Sequence, residues 1–176
     1  MRIRTNFFAS LDGFVSSPDG RPVQLLLRGF TGADSYGLPE FLAGCEAVVM
    51  GRTTFLPALG ASRWPWAQPV FVLTSSPLPD GTPDGVTAAA SVVELVELMR
   101  AAEVAGDVHL VGGPRTMHAF REAGALDELW LHVVPMLLGS GQPLSPAGTE
   151  PLALNLLSTR TFPDGVVELG YGLGEP

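Results

Sequence analysis

Short apolar runs that end in glycine or hydroxyl residues most limit what this chain can fold into. Residues 47–50 and 70–73 read Ala-Val-Val-Met and Val-Phe-Val-Leu, without a polar residue in either run. Runs of this length are typical of strands that are buried on both faces. A stretch with helical character follows each of several such runs. This alternation predicts an α/β fold built on a sheet that is parallel in its centre.

The remaining pattern completes that expectation. Ser91 precedes apolar residues spaced i, i+3, i+4, i+7, which predicts an N-capped amphipathic helix. Asp34 or Ser35 is the expected N-cap of an earlier helix over 35–44. Pro163-Asp164-Gly165 separates two late strands and predicts a hairpin, hence an antiparallel edge. Further helices are predicted from Gly51 and over 115–123, a long loop is predicted up to about Gly32, and strands are predicted at 2–9, 47–50, 70–73, 86–90, 108–111, 128–134, 152–162 and 166–173.

Composition excludes several classes of function. The 176 residues suit one domain over 1–176, and 46% of them are hydrophobic, which argues against disorder. A net charge of −8 opposes binding to nucleic acid or to an anionic membrane. All ten basic residues are arginine, so lysine Schiff-base chemistry and a P-loop lysine are excluded. The three histidines are widely spaced and there is one cysteine, so no metal site is expected.

The amino terminus lacks the apolar centre of a signal peptide, and no stretch is long and apolar enough to cross a bilayer. Together with the single cysteine, this predicts a cytoplasmic protein that does not engage membranes.

Four strand ends have residues suited to holding a ligand. In parallel sheets, ligands bind beyond the carboxyl ends of the strands. Glycine allows a close approach of the backbone, hydroxyls donate hydrogen bonds, and arginine grips phosphate with two parallel donors. Two of the ends run directly into helices, whose N-termini attract anions. The four segments are Ser10-Leu11-Asp12-Gly13, Gly51-Arg52-Thr53-Thr54, Thr74-Ser75-Ser76 and Gly112-Gly113-Pro114-Arg115.

In order and spacing, these residues resemble the dihydrofolate reductase superfamily. Residues 50–55 (Met-Gly-Arg-Thr-Thr-Phe), 72–76 and 111–114 carry the resemblance. Residues 10–14 (Ser-Leu-Asp-Gly-Phe) and 126–141 are more specifically similar to the reductase domain of bacterial riboflavin biosynthesis and its stand-alone relatives. The resemblance implies a dihydrofolate reductase-like, eight-stranded, mostly parallel sheet with an antiparallel C-terminal edge and helices on both faces. It also implies NADPH as cofactor and a homodimer.

The resemblance further implies a role for individual residues. Arg52, with Ser75 beside it, would bind the adenosine 2′-phosphate. Thr54 and the first amides of both helices would hold the pyrophosphate, with Arg115 adding positive charge. Gly112-Gly113 would be a cis pair under the cofactor. The implied cofactor site comprises Ala9, Leu11, Gly13, Gly51, Arg52, Thr53, Thr54, Leu73, Thr74, Ser75, Ser76, Val111, Gly112, Gly113, Pro114, Arg115 and Thr116.

The chain departs from the family where the substrate would bind. The riboflavin-pathway enzyme has an acidic substrate-binding residue where Val111 stands here. The candidate proton donors are Asp12 and Asp34, with Glu40 near Asp34. Asp12 is equally consistent with a turn, and Asp34 with an N-cap or a solvated residue. Trp64 and Trp66 either roof a substrate pocket or pack onto the body of the protein.

Two functions follow as hypotheses. The first is an NADPH-dependent reductase that transfers hydride to a C=N or C=O carbon of a small heterocyclic or ketose-like substrate. The second is a non-catalytic NADP(H)-binding module, which the missing acidic residue favours. Trp130 and its apolar neighbours on the late strand offer a surface for the homodimer, although core packing explains them nearly as well.

Overall fold

The computed structural model describes residues 1–174, which form ten strands, four α-helices and a short 3-10 helix over Val23–Leu26. The helices are α1 (Leu38–Leu42), α2 (Arg52–Leu59), α3 (Val92–Ala101) and α4 (Pro114–Glu122). The strands are β1 (Ile3–Ser10), β2 (Phe14–Ser16), β3 (Cys45–Gly51), β4 (Val70–Leu73), β5 (Val86–Ala89), β6 (Asp107–Gly112), β7 (Glu128–Val134), β8 (Gln142–Pro143), β9 (Asn155–Thr161) and β10 (Val167–Gly172). No helix among the described residues is long and apolar enough to cross a membrane.

Eight strands form one sheet in the order β5-β4-β3-β6-β1-β7-β10-β9. The pairs β5–β4, β4–β3, β3–β6 and β6–β1 are parallel. The pairs β7–β10 and β10–β9 are antiparallel, and the hairpin at 163–165 joins the last two strands. The predicted fold, parallel in the centre with an antiparallel C-terminal edge, is confirmed. The short strands β2 and β8 form a separate antiparallel pair.

By the density of contacts the chain divides into two compact units, and β1 contributes residues to both. Unit 1 comprises Met1–Thr5 and Gly44–Leu126. Unit 2 comprises Asn6–Ala43 and the described residues from Asp127 onward. The prediction of a single domain over 1–176 stays a prediction.

The core of unit 1 lies against the apolar strands β3 and β4. Their buried side chains form a cluster with Phe55 of α2, which is fully buried. Leu95 and Met99 are also fully buried, as the spacing along α3 predicts. Ser91 caps α3 by accepting a hydrogen bond from the Glu94 amide at 3.2 Å. Sequence pattern and packing therefore agree throughout this unit.

The core of unit 2 includes a histidine. His132 is fully buried, and its ring stacks on Phe8 with 4.3 Å between centroids. Its Nε2 lies 2.7 Å from the carbonyl oxygen of Tyr36 and 3.0 Å from Oε2 of Glu168, whereas Nδ1 has no partner in the described structure. These contacts fix the ring within the core. His132 is thus a packing residue.

The helix predicted over 35–44 is the main error in the expected elements. Helix α1 begins only at Leu38, and its N-cap is Gly37, not Asp34 or Ser35. Tyr36 and Gly37 both have positive φ, 54° and 74°, which no helix tolerates at consecutive residues. The Ser35 hydroxyl instead donates to the carbonyl of Gly32. The chain therefore forms a turn where the helix was expected. The loop before Gly32 also contains β2 and the 3-10 helix, which the sequence did not indicate.

The apolar residues of β7 are only partly buried, except for Val134. Val134 is fully buried, and Trp130 packs edge-on against Phe41 while its Nε1 donates to Glu128. More exposed leucines lie elsewhere, at Leu156 and Leu157 of β9. The predicted surface at Trp130 is partly buried and partly open, and the homodimer stays a prediction.

One carboxylate joins the starts of β1 and β6. Asp107 accepts hydrogen bonds from Arg2 and from Arg4, each with an Nη–Oδ2 distance of 2.8 Å. The side chain of Arg4 is only 11% exposed. Burial raises the pKa of Asp107, but the two arginines outweigh it, so the pKa lies below its ordinary value. Asp107 therefore stabilises the fold in its ionised form.

We expect Asp107→Asn to lower the free energy of unfolding by about 2–4 kcal/mol, because it removes the carboxylate partner of a buried guanidinium. Urea unfolding at neutral pH measures this, with Asp80→Asn at an exposed position as the control. In the wild type, this contribution is complete above the unfolded pKa of about 3.9 and declines as the pH falls below it. Equal stability of the two variants would contradict the assigned role.

Candidate functional site

The carboxyl ends of β3, β4 and β6 lie at one edge of unit 1. The parallel register pairs Gly51 with Leu73, and Met50 with Gly112. Three of the four predicted ligand-binding segments are therefore brought to neighbouring positions. The fourth, residues 10–13, belongs to unit 2 and is described separately below.

Two helices begin at this edge, and no side chain caps either of them. The N-cap of α2 is Gly51 and that of α4 is Gly113, and neither glycine can cap with a side chain. The first N–H groups of a helix have no partner within the helix. Where they are open, they attract anions together with the positive end of the helix dipole. In α4, Pro114 has no N–H and the Thr116 amide donates to the carbonyl oxygen of Gly113 at 2.9 Å, so the Arg115 amide is the one left open in its first turn. We call this pair of helix starts, with Gly51 and Gly113, the glycine cradle.

The glycine cradle is too crowded for a side chain on β3. A Cβ added to Gly51 would lie 2.2 Å from Oγ1 of Thr116, on the first turn of α4. Gly112 has a φ of 136°, which favours glycine, and the Gly112–Gly113 peptide bond is cis, as the resemblance implied. A Cβ on Gly113 would have Oγ1 of Thr54, at 3.9 Å, as its nearest neighbour. The glycines thus place the starts of α2 and α4 side by side and leave space beside Gly113.

Arg52 and the segment after β4 lie together. Nη1 of Arg52 donates to the carbonyl oxygen of Pro77 at 2.9 Å, which holds the guanidinium next to residues 74–77. Thr74 Oγ1 accepts from the amide of Ser76 at 3.1 Å and forms a local turn. Ser75, within that turn, is exposed and makes no hydrogen bond with any described residue. A guanidinium and a free hydroxyl are therefore available at the same place.

The other predicted residues of unit 1 differ in exposure. Thr53 and Arg115 are exposed on the first turns of their helices, and Arg115 makes no ion pair within the described chain. Pro114 and Thr116 are buried, Leu73 and Val111 are partly buried, and Val111 ends its strand without a polar group. The arginines and hydroxyls are thus the groups open to a ligand.

Asp12 lies in a loop of unit 2, where it accepts several hydrogen bonds. Its carboxylate accepts from the Ser10 hydroxyl at 2.6 Å and from the amides of Leu138 and Gly139 at 3.1 and 2.7 Å. These bonds, that of Ser10 foremost, lower the pKa of Asp12 to about 2. A carboxylate held this way is an acceptor at neutral pH and has no proton to give. The geometry favours the turn interpretation of Asp12 over the acid.

The other predicted site residues of unit 2 differ in exposure. Asp34 is exposed and makes no hydrogen bond or ion pair with described residues, and Glu40, on α1, is exposed as well. Neither carboxylate is buried, as a carboxyl tuned to give up a proton commonly is. Ala9 is buried at the end of β1, Leu11 is 67% exposed, and Gly13 has a φ of 87°.

The tryptophan loop between α2 and β4 packs onto the core of unit 1. Trp64 meets Phe55 edge-on with 6.0 Å between ring centroids, and Trp66 meets Trp64 at 5.0 Å. Both tryptophans thus pack onto the core, and residues 63–67 of the loop also line a cleft. Within the described residues, no group of three or more His, Cys, Asp or Glu side chains is arranged to hold a metal ion.

Sequence reasoning missed two contacts of the site. The bond from Arg52 to Pro77 spans 25 residues, and the approach of Gly51 to Thr116 spans more. A glycine directly after an apolar strand was a signal for the second, since glycine there marks a close approach of backbones. No local signal indicated the first.

Comparison with known proteins agrees with this geometry. Residues 2–168 match the family model described as the RibD C-terminal domain. The chain belongs to the RibD C-terminal domain family. It is 28% identical to YwjB of Bacillus subtilis (strain 168) over 160 residues, which are 89% of this chain and 90% of that protein.

Solved structures of this family share the fold. A putative riboflavin biosynthesis protein from Shewanella sp. PV-4 superimposes with a TM-score of 0.84 at 24% identity, covering 99% of this chain and 100% of that one. The deaminase/reductase from Thermotoga maritima named for diaminohydroxyphosphoribosylaminopyrimidine and 5-amino-6-(5-phosphoribosylamino)uracil gives 0.69 at 17% identity. In that case the match covers 98% of this chain and 56% of the larger protein. These likenesses show the shared fold.

We expect Gly51→Ala to destabilise the protein by about 1–3 kcal/mol, because the new methyl group overlaps Thr116. Thermal or urea unfolding measures this. Gly60→Ala is the matched control, because Gly60 has a φ of −78° and its nearest contacts would be 3.7 Å away. Adding Thr116→Ala to Gly51→Ala should restore most of the loss. Failure of that rescue would show that the crowding lies elsewhere.

We expect the Asp12 carboxyl to titrate with a pKa of about 2, and Ser10→Ala to move this pKa upward toward the ordinary value. Carbon-13 NMR of the carboxyl groups follows the titration directly. Ser17→Ala is the matched control, because Ser17 donates to Asp19 in the same manner and should leave Asp12 unchanged. A neutral Asp12 at pH 5 would restore it as a candidate acid.

Proposed function

We propose that this protein is an NADPH-dependent reductase that transfers hydride to a C=N or C=O carbon of a small heterocyclic substrate. The observation that supports this most is the glycine cradle, where two helix starts without side-chain caps lie side by side. A dinucleotide pyrophosphate needs this combination of free amides and close backbone approach. The family membership agrees with it.

The net negative charge of the protein bears on how it can hold an anionic cofactor. A chain with a net charge of −8 repels a free anion at long range, so binding depends on positive groups near the site. The two helix starts, Arg52 and the exposed Arg115 supply them in unit 1. Thr54, which neighbours Gly113, adds a hydroxyl where the pyrophosphate would lie.

The preference for NADPH over NADH rests on Arg52 and Ser75. Held by the Pro77 carbonyl, the guanidinium has further donors free for the 2′-phosphate, and the Ser75 hydroxyl lies on the neighbouring turn. A ribose without that phosphate would gain little from either group. We therefore place the distinction between the two cofactors at these residues.

The reaction needs a hydride and a proton. When bound, the nicotinamide supplies the hydride from C4 to the substrate carbon, and the substrate nitrogen or oxygen then takes a proton. Asp12 does not supply it, since its carboxylate is ionised and engaged with Ser10 and two amides. We assign the proton to solvent water, and the exposed Asp34 stays a second candidate.

A non-catalytic NADP(H)-binding module is the alternative. Val111, just before the glycine pair, has no polar group for a substrate, and Asp12 is engaged in a turn. Both observations argue against catalysis, and neither changes the glycine cradle as a cofactor-binding site. Tight NADPH binding without oxidation in the presence of pterins or ribosylaminopyrimidines would select this function over the reductase.

We expect Arg52→Gln to weaken NADPH binding about 10- to 100-fold and to leave NADH binding nearly unchanged, because one charge-assisted interaction with the 2′-phosphate is lost. Titration with each cofactor, followed by quenching of tryptophan fluorescence, gives both dissociation constants. Arg100→Gln is the control, since Arg100 is exposed on α3 and its side chain makes no hydrogen bond or ion pair with any described residue. Equal losses for both cofactors would refute the 2′-phosphate role, and no binding of either to the wild type would refute the reductase.

A further inference from the structure

A cleft in unit 1 lies apart from the glycine cradle, Arg52 and Ser75. It has a volume of about 450 Å³ and is lined by Arg63, Trp64, Pro65, Trp66 and Ala67. This is within the size range of small-molecule sites. The lining loop follows the carboxyl end of α2, whereas the glycine cradle is at the start of that helix. Eight residues of helix separate the two by about 12 Å.

The aromatic walls of the cleft are held in place. Trp64 contacts Phe55, which is fully buried, and Trp66 contacts Trp64 with their ring planes 70° apart. Both indoles are partly exposed, so each is anchored on one side and open on another. A planar ligand could therefore stack on a tryptophan face with little loss of side-chain freedom.

The side chains that line the cleft offer donors and no acceptors. Arg63 is exposed and makes no hydrogen bond or ion pair with any described residue. The indole Nε1–H groups of Trp64 and Trp66 also have no acceptor among residues 1–174. Pro65 and Ala67 add apolar surface only. No carboxylate lines the cleft, although the protein as a whole is acidic.

We propose that this cleft binds a planar aromatic anion, either a carboxylate or a phosphate ester, with its ring against the tryptophans and its charged group on Arg63. The indole faces select the flat ring, and the guanidinium with the two N–H donors selects the anionic oxygens. A neutral ring lacks the second interaction, and an aliphatic acid lacks the first. The proposal does not depend on the reductase function, because it involves none of the residues of the glycine cradle.

Three small probes separate the contributions of ring and charge. The probes are 1-naphthoate, the neutral naphthalene-1-carboxamide and the non-aromatic cyclohexanecarboxylate. Binding is followed in the full-length protein by the NMR shifts of the indole Nε1–H signals, because Trp130 donates to Glu128 and serves as an internal reference. We expect 1-naphthoate to shift the signals of Trp64 and Trp66, and to bind at least tenfold more tightly than either other probe.

Variants then assign the anionic contact. Arg63→Gln should weaken 1-naphthoate binding at least tenfold and leave the carboxamide unaffected, whereas Arg100→Gln should change neither. Trp66→Leu should weaken both aromatic probes, and Arg63→Gln decides the matter if that variant folds poorly, because Arg63 makes no internal contact. Equal affinity for the acid and the amide, or an unchanged affinity in Arg63→Gln, would overturn the proposal. NADPH titration of the same samples tests the reductase separately, since its loss leaves the naphthoate result intact.

Discussion

The close approach of β3 to the start of α4 determines what unit 1 can bind. No Cβ fits on Gly51, since it would lie 2.2 Å from the Thr116 hydroxyl, and for that reason two uncapped helix starts lie next to each other. A larger residue at Gly51 would overlap Thr116 and push the two helix starts apart. The parallel register then adds the end of β4, with Ser75 and Arg52. The binding properties of this edge follow from one packing constraint.

Local charge and global charge oppose each other in this protein. A net charge of −8 favours solubility and repels polyanions, yet the edge of β3, β4 and β6 gathers two helix dipoles and two arginines. Helix dipole effects decay within the first turn, and exposed charges are screened beyond about 10 Å at moderate salt. At the short distances of a bound phosphate, the local groups outweigh the distant acids. An acidic protein can therefore hold an anionic cofactor at a defined place.

The sequence predicted the strands better than the contacts between them. The apolar runs of β3 and β4, the cap at Ser91 and the hairpin at 163–165 are local signals, and the structure has each of them. Helix α1 failed because the positive φ of Tyr36 is a local strain that no propensity indicates. Asp12 was ambiguous for a different reason: the amides that hold it are 126 and 127 residues away. Spacing along the chain contains no information on partners at that distance.

Arg52 begins α2 and Arg63 lies in the loop that follows the helix, and the two arginines differ in their contacts. Arg52 donates to the Pro77 carbonyl, so its direction is fixed and only its remaining donors can reach a ligand. Arg63 has no such tie, and the neighbouring indoles give its ligand a flat surface to rest on. The first arrangement suits a phosphate whose position is set by the rest of a large cofactor. The second suits a small ligand that brings its own aromatic anchor. The two anion sites that we propose thus differ in what each guanidinium contacts before any ligand arrives.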